Sequence, residues 1–415
     1  MTFTQIPLHS SLLKAIDEMG HTTPTPIQEK AIPVILNGSD LRASAQTGTG
    51  KTAAFVLPAL HKLTIPSNKK TRGPRVLILT PTRELAMQVA TETAKYSKYL
   101  SRAKTVCLYG GIPYAIQNRE LSRPYEILVA TPGRLIDQIE RGRIDLSGVE
   151  LFILDEADRM LDMGFIEPVQ EIATSLPSTR QTLLFSATLK GAVIRLSENL
   201  LKNPVEICIA SAHEKHENID QRIHKVDNIN HKYQLLDHFL SDETVYQTII
   251  FTATKHQADT LTDKLLDQGH KAAALHGDMN QRQRTKTLSR LRKEELRILV
   301  ATDVAARGID VQSITHVINF DLPMSPEDYV HRIGRTGRAG ASGVALSFVA
   351  PKDRHLVKRI EQFTGQQLSF HIVQGMEPKM QDTPRKQFSP KKRFSGGGGG
   401  YGRPSTKNRR PGRSR

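Results

Sequence analysis

The sequence predicts an α/β protein: two tandem parallel-sheet domains followed by a disordered basic C-terminal tail. Three observations carry this expectation. Short apolar runs alternate with helix-length segments along most of the chain, the signature of strand–helix units in a parallel sheet. The pattern lapses once, around 209–220, into Ala-Ser-Ala-His-Glu-Lys-His-Glu-Asn, and then resumes. Residues 376–415 carry twelve Lys/Arg against two acids and include five consecutive glycines, Gly396 to Gly400. Such a segment cannot bury a core. The expected limits are therefore 1–208 for the first domain, 209–220 for the linker, 221–375 for the second domain and 376–415 for the tail.

At 415 residues the chain accommodates two α/β domains of ordinary size. The formal net charge of +16 favours a polyanionic partner without naming it. Cys107 and Cys208 are the only cysteines. They exclude a disulfide framework or a Cys-rich zinc site and suit a reducing, cytoplasmic setting. Met1 to Gly20 is charged and amphipathic where a signal segment would be apolar. No apolar run approaches the roughly 20 residues of a membrane span.

In chain order, Phe3 to Met19 reads as a helix, with Leu8, Leu12, Ile16 and Met19 on one face and Gly20 ending it. A Pro-punctuated turn from His21 to Gln28 opens a second helix. Leu41 to Ala45, Arg75 to Leu79, Ile127 to Ala130, Leu151 to Leu154 and Thr182 to Phe185 read as strands of the first domain. Thr248 to Phe251, Ala272 to Leu275, Arg297 to Ala301, His316 to Phe320 and Val344 to Phe348 read as strands of the second, with a last helix near Asp353 to Thr364. Polar or Gly/Pro-rich loops recur at the carboxyl ends of these strands, the edge where open parallel sheets bind ligands. The two halves show no obvious sequence repeat.

Ala45-Gln46-Thr47-Gly48-Thr49-Gly50-Lys51-Thr52 lies between a strand and a helix and reads as a phosphate-binding loop. Gly48 and Gly50 let successive N–H groups converge on a phosphate, and the following helix presents its positive end. Lys51 can reach the β- and γ-phosphates, and Thr52 can hold Mg²⁺. Asp155 ends an apolar strand, where nucleotide hydrolases of this architecture hold Mg²⁺. Glu156 beside it can orient and deprotonate a water. In the second domain His331-Arg332-Ile333-Gly334-Arg335-Thr336-Gly337-Arg338 can project guanidinium groups toward a phosphoryl transition state. With only one phosphate loop in the chain, a single nucleotide site completed by domain closure is expected.

Over about residues 1–370 this set resembles the DEAD-box ATP-dependent RNA helicases, and more narrowly their bacterial RhlE-type members. The resemblance implies two RecA-like domains, ATP and Mg²⁺ as cofactors, and RNA as the partner. Gly20 to Gln28 matches the adenine-reading motif, with Gln28 on the base edge, Phe3 as the stacking aromatic, and His21 where many members carry an aromatic. Ala45 is the residue this family uses at the head of its phosphate loop. Pro81, Thr82 and Arg83 with Glu84, Gly110 with Gly111, and Thr131, Pro132, Gly133 and Arg134 match RNA-contacting loops. Gly277, Gln281 to Arg284, and Thr302 match further RNA-facing elements. Asp158, Ser186, Thr188, Asp303 and His331 match residues that couple hydrolysis to strand separation, Asp158 through His331. Arg307, Gly308 and Asp310 match the motif that touches both ligands, Asp310 at the ribose.

The donors at these strand ends suit phosphates and 2′-hydroxyls and form no base-reading array, so binding is expected to be largely independent of sequence. The expected activity is an RNA-dependent ATPase that separates short duplexes locally by ATP-driven closure. A DNA-unwinding motor and an RNA clamp or annealing scaffold are the alternatives. Ribosome-assembly or RNA-decay proteins are the implied partners. The tail's Lys and Arg, with Phe388, Phe394 and Tyr401, suit either a nucleic-acid anchor or a partner-binding segment.

Overall fold

The computed structural model describes the chain except for residues 1, 46–47, 68–71, 102, 190, 210–217, 243, 307–308, 310, 312, 338–340 and 380–415. All but the first four residues of the expected tail, and most of the expected linker, therefore lie outside the described residues.

The first sheet contains β1 (Leu41–Ser44), β2 (Val76–Leu79), β3 (Thr105–Leu108), β4 (Ile127–Ala130), β5 (Leu151–Leu154), β6 (Gln181–Ser186) and β7 (Val205–Cys208). Its order is β3-β4-β2-β5-β6-β1-β7. The second contains β8 (Ile219–Lys225), β9 (Thr248–Phe251), β10 (Ala272–Leu275), β11 (Ile298–Ala301), β12 (His316–Asn319), β13 (Gly343–Val349) and β14 (Ser369–Phe370). Its order is β10-β11-β9-β12-β13-β8-β14. All pairings are parallel. The two orders are the same pattern shifted by seven strands. The chain thus repeats its architecture without an obvious repeat of its sequence.

Strand alternation builds the cores. Val76 and Ile78 of β2 enter one apolar cluster, while Leu77 and Leu79 enter the cluster on the opposite face. In the second sheet Ile250 faces one cluster, and Ile249 and Phe251 the other. Both faces of each sheet are covered, so central strands are continuously apolar. The strands not anticipated are β3, β7, β8 and β14. The first two close the edges of their sheet, and β14 closes one edge of the other, where half-exposed polar positions break the apolar run. In β8 the residues Ile-Asp-Gln-Arg-Ile-His-Lys alternate too weakly to announce a strand. It begins at Ile219, inside the stretch expected to be linker.

The expected helix from Phe3 to Met19 is two pieces, a 3₁₀ turn Phe3–Gln5 and an α-helix Ser10–Glu18. Pro7 holds Ile6 extended, at φ −89° and ψ 132°, which ends the first turn. Cys107 and Cys208 sit on β3 and β7, the two opposite edges of the first sheet. At about 4.8 Å per strand step they are far beyond disulfide reach. Among the described residues no helix is long and apolar enough to cross a membrane.

Candidate active site

β1 ends at the phosphate-loop stretch, and its neighbour β6 is tied to that loop. The Ala45 N–H donates to the Ser186 carbonyl at 3.0 Å, and the Ser44 hydroxyl donates to the Ala187 carbonyl at 3.0 Å. Gly48 and Gly50 take left-handed φ of 86° and 89°. Gly50 caps the helix Lys51–Thr64. Lys51 is buried and Thr52 half-buried in its first turn. Gln46 and Thr47 lie outside the described residues.

Gln28 lies against this loop. Its Nε2 donates to the Gly50 carbonyl at 3.1 Å, and its Oε1 accepts the Thr25 N–H at 2.9 Å. The residue thus completes a capping box and touches the loop with the same amide. A Cβ on Gly50 would lie 2.4 Å from Gln28 Nε2, the movable end of a side chain, and the left-handed φ of 89° is what favours glycine there. Phe3, expected to stack on the base, is 5% exposed within the first core cluster. Little of its ring remains for a base.

β5 ends at Asp155 and Glu156. The Asp155 N–H donates to the Leu79 carbonyl at 3.0 Å, which fixes the turn to β2. Asp155 is 2% exposed, and its Oδ1 has no hydrogen-bond partner. Burial pushes its pKa up to about 7, against the opposing pull of the Lys51 ammonium. Glu156 is buried at φ 54°, a left-handed conformation uncommon for a residue with a side chain. Asp158 Oδ2 accepts the Ala187 N–H at 3.2 Å, linking the turn to the Ser186-Ala187-Thr188 loop. Ser186 Oγ accepts the Thr188 N–H at 3.3 Å. Asp158 is thus held by backbone N–H groups of its own domain, and His331, its expected partner, lines the pocket beside Arg159.

The helix Ala157–Asp162 that follows this turn reaches the second domain. Arg159, 3% exposed, places Nη1 3.9 Å from Asp328 Oδ1. Arg159, Phe251, Asp303, Asp328, His331 and Arg335 line one small pocket between the domains. Asp328 lies on the helix Pro326–Ile333, which leads directly into Arg335. Arg335 is 4% exposed, and its Nη1 donates to the Ile309 carbonyl at 2.7 Å. Arg338, Gly308 and Asp310 lie outside the described residues, as does Arg307. Asp303, expected to couple the domains, is paired within its own domain. Arg332 grips it with two parallel bonds of 2.6 and 2.7 Å and donates to Asn319 at 3.1 Å. A buried guanidinium requires that compensation, which explains the choice of partner.

The loops expected to meet RNA collect along the cleft. Arg83 Nη1 donates to Gln281 Oε1 of the second domain at 3.0 Å. The same guanidinium lies over Gly110 and Gly111, where a Cβ on Gly111 would sit 2.5 Å from Nη1. Arg134 Nη1 donates to the Ile112 carbonyl at 3.2 Å and to Gln117 at 2.8 Å. Pro81 is buried, and Thr82 is the cap of the helix Arg83–Tyr96, its hydroxyl accepting the Leu85 N–H at 3.3 Å. Thr131 caps the helix that opens at Pro132, and Gly133 has open space above its Cα. At the end of β10 Gly277 is exposed, and at the end of β11 Thr302 is half-buried.

Arg284, expected to face RNA, also joins the two domains. It is buried against Glu84 of the first domain, with Nη2 to Oε1 at 2.7 Å and Nε to Oε1 at 2.9 Å. It also donates to the His276 and Ala305 carbonyls at 3.2 and 3.3 Å. In the sequence Glu84 stands out only as part of its loop. No spacing signal could pair two residues 200 positions apart.

A glycine-bent loop with a buried lysine, an acidic turn beside it, and a basic helix from a second domain define a two-domain nucleotide-binding protein. The DEAD/DEAH box helicase family matches residues 25–196, and the helicase conserved C-terminal domain matches 231–340. The chain is 42% identical over 378 residues to the ATP-dependent RNA helicase SrmB of Haemophilus influenzae, covering 91% of this chain and 86% of that one. It is 46% identical over 368 residues to the ATP-dependent RNA helicase DeaD of Mycobacterium tuberculosis, covering 89% of this chain and 64% of the relative's length. The fold matches S. cerevisiae Dbp5 bound to RNA and ADP BeF3 with a TM-score of 0.80 at 32% identity, covering 90% and 95% of the two chains. The chain belongs to the DEAD-box helicase family, and its two sheets are tandem RecA-like domains.

Proposed function

We propose that the protein is an RNA-dependent ATPase that opens short RNA duplexes and remodels RNA by ATP-driven closure of its two domains. The observation that carries this reading is the junction at Arg159 and Asp328. It sets the helix leading into Arg335 beside the helix Ala157–Asp162, which continues from Asp155 and Glu156. The likeness to a relative solved with RNA and a nucleotide analogue adds support.

ATP phosphates would rest on the N–H groups of Gln46 to Gly50, with Lys51 beside the β- and γ-phosphates. Thr52 and Asp155 suit Mg²⁺, which when bound neutralises phosphate charge. The buried, unpartnered Asp155 Oδ1 is the atom that fits such a cation. One protein carboxylate is enough, because Mg²⁺ keeps waters and phosphate oxygens as its other ligands. Glu156 would take the proton of the attacking water. Arg335, joined by Arg338, would stabilise negative charge on the γ-phosphoryl oxygens. Gln28 would report adenine to the loop through Gly50. Gly308 and Asp310 are assigned to the nucleotide as well.

Arg83, Gly111, Arg134, Gly277 and Thr302 are assigned to the RNA backbone. A strand held by both domains at once bends to fit them and leaves its partner. The folded domains are assigned to 1–208 and 219–375, and a cytoplasmic location suits this activity.

The test is ATP turnover by purified protein with and without RNA. Glu156→Gln is expected to lower RNA-stimulated turnover by about 10²–10⁴-fold while ATP binding persists. Lys51→Ala is expected to abolish both. Full RNA-stimulated turnover in Glu156→Gln would remove Glu156 as the base.

A further inference from the structure

The helix Gln281–Arg292 carries more charge than the reading above uses. From Gln281 to Lys293 stand Arg282, Arg284, Lys286, Arg290, Arg292 and Lys293, with no acid among them. Arg284 is engaged by Glu84. At about 100° per residue, Arg282, Lys286, Arg290 and Lys293 fall within one arc of about 80°. All four are exposed. The opposite face packs Leu288 and Leu291 into the core of the second domain, so the stripe stands on a rigid support.

Favourable charge at a helix C-terminus accounts for basic residues in the last turn but not for Arg282 and Lys286. Local acids do not absorb the stripe. Glu295 lies 3.8 Å from Arg290 with both side chains about half exposed, a geometry worth little. Glu294 is held by the Tyr246 hydroxyl at 2.9 Å. Positions four apart rise about 6 Å along the helix, comparable with the separation of neighbouring phosphates on a strand. The stripe also starts at the cleft. Gln281 accepts from Arg83, and its Cβ is the neighbour that a Cβ on Gly111 would meet at 3.4 Å.

We propose that Lys286, Arg290 and Lys293 form a second RNA track, which holds the backbone of the single strand where it leaves the cleft beside Arg83 and Gly111. The proposal rests on the RNA-binding reading of that cleft. Point charges on flexible stems read no bases, so the track lengthens the footprint without adding sequence preference. Longer strands then bind more tightly than strands that fill only the cleft.

The experiment uses the full chain and the triple variant Lys286→Gln, Arg290→Gln, Lys293→Gln. Fluorescence anisotropy reads binding of labelled oligouridines of roughly 6 and roughly 20 nucleotides, with a non-hydrolysable ATP analogue, over a salt series. The short strand is expected to bind both proteins alike. The long strand is expected to bind the variant about tenfold more weakly, with a salt slope shallower by about 2, from three lost phosphate contacts. Lys286→Arg with Lys293→Arg keeps the charge and is expected to match wild type. Wild-type affinity and slope of the triple variant on the long strand would overturn the track, and so would equal losses on both lengths. Failure of the wild-type protein to bind either strand would instead overturn the RNA reading itself, and the track with it.

Discussion

Arg284 and Glu84 form a buried ion pair that joins a helix of each domain, with Nη2 2.7 Å from Oε1 and side-chain exposures of 9% and 6%. Each charge is tolerable there only because the other is present.

Removing one partner should therefore act on domain closure. Arg284→Met leaves Glu84 facing the cleft unpaired, and the domains are expected to separate so that water can reach it. Small-angle scattering should show a larger radius of gyration for the variant. A double-mutant cycle with Glu84→Gln, read from denaturant unfolding, is expected to give a coupling of about 1–3 kcal/mol. Additive effects with an unchanged radius would mean the pair does not hold the domains.

Gly50 combines a left-handed backbone with two crowding side chains, Gln28 and Thr25. A methyl group there meets Gln28 Nε2, and φ of 89° strains any residue with a side chain. Gly50→Ala is expected to cost about 1–3 kcal/mol in the loop and to weaken nucleotide binding by at least tenfold. Equilibrium titration with a fluorescent ATP analogue measures this. Gln28→Ala removes the nearer of the two crowding side chains and leaves Thr25 Oγ1 at 2.9 Å, so the double variant should lose less than the sum of the single losses.

His224 makes the second domain sensitive to acid. Its ring is 4% exposed beside Phe239, at 4.9 Å between centroids, and neither ring nitrogen has a hydrogen-bond partner. Burial first, then the nearby His371, Arg222 and His238, push its pKa down from 6.5 to about 4. A depressed pKa means the unfolded chain binds the extra proton more readily. The stability is present above pH 6.5 and is lost as pH falls through about 4. With allowance for solvent screening at this sheet margin, the effect near pH 5 is on the order of 1 kcal/mol. His224→Phe is expected to flatten the acid limb of the stability profile from pH 7 to 4.5, measured by urea unfolding. An unchanged profile would assign the acid sensitivity to other groups.

The basic tail is expected to make a separable contribution. Deleting residues 376–415 removes twelve Lys/Arg. RNA affinity is expected to fall and its salt dependence to flatten, while RNA-stimulated ATP turnover by the core persists at saturating RNA. Filter binding across a salt series reads the first effect and phosphate release the second. Equal affinity at every salt concentration would exclude the tail as an RNA anchor.

Local signals carried much of this protein. Continuous apolar runs announced β2, β4, β5, β9 and β11, because strands buried on both faces need apolar residues throughout. The phosphate loop, the Asp155-Glu156 turn and the arginine-rich turn were legible because each packs its chemistry into a few consecutive residues. The strands β3, β7, β8 and β14 were not, because their exposed or alternating positions resemble loops.

What the sequence determined by itself was therefore the strand–helix alternation, the ligand-bearing loops and the uneven charge. Tertiary structure decided the partners. It gave Arg284 to Glu84 of the other domain, and Asp303 to Arg332 within one domain. It buried Phe3, set Gln28 against Gly50, and repeated one strand order in two halves of different sequence. The reason is that buried charges and amides must find partners, and the fold rather than the spacing along the chain decides which ones are within reach.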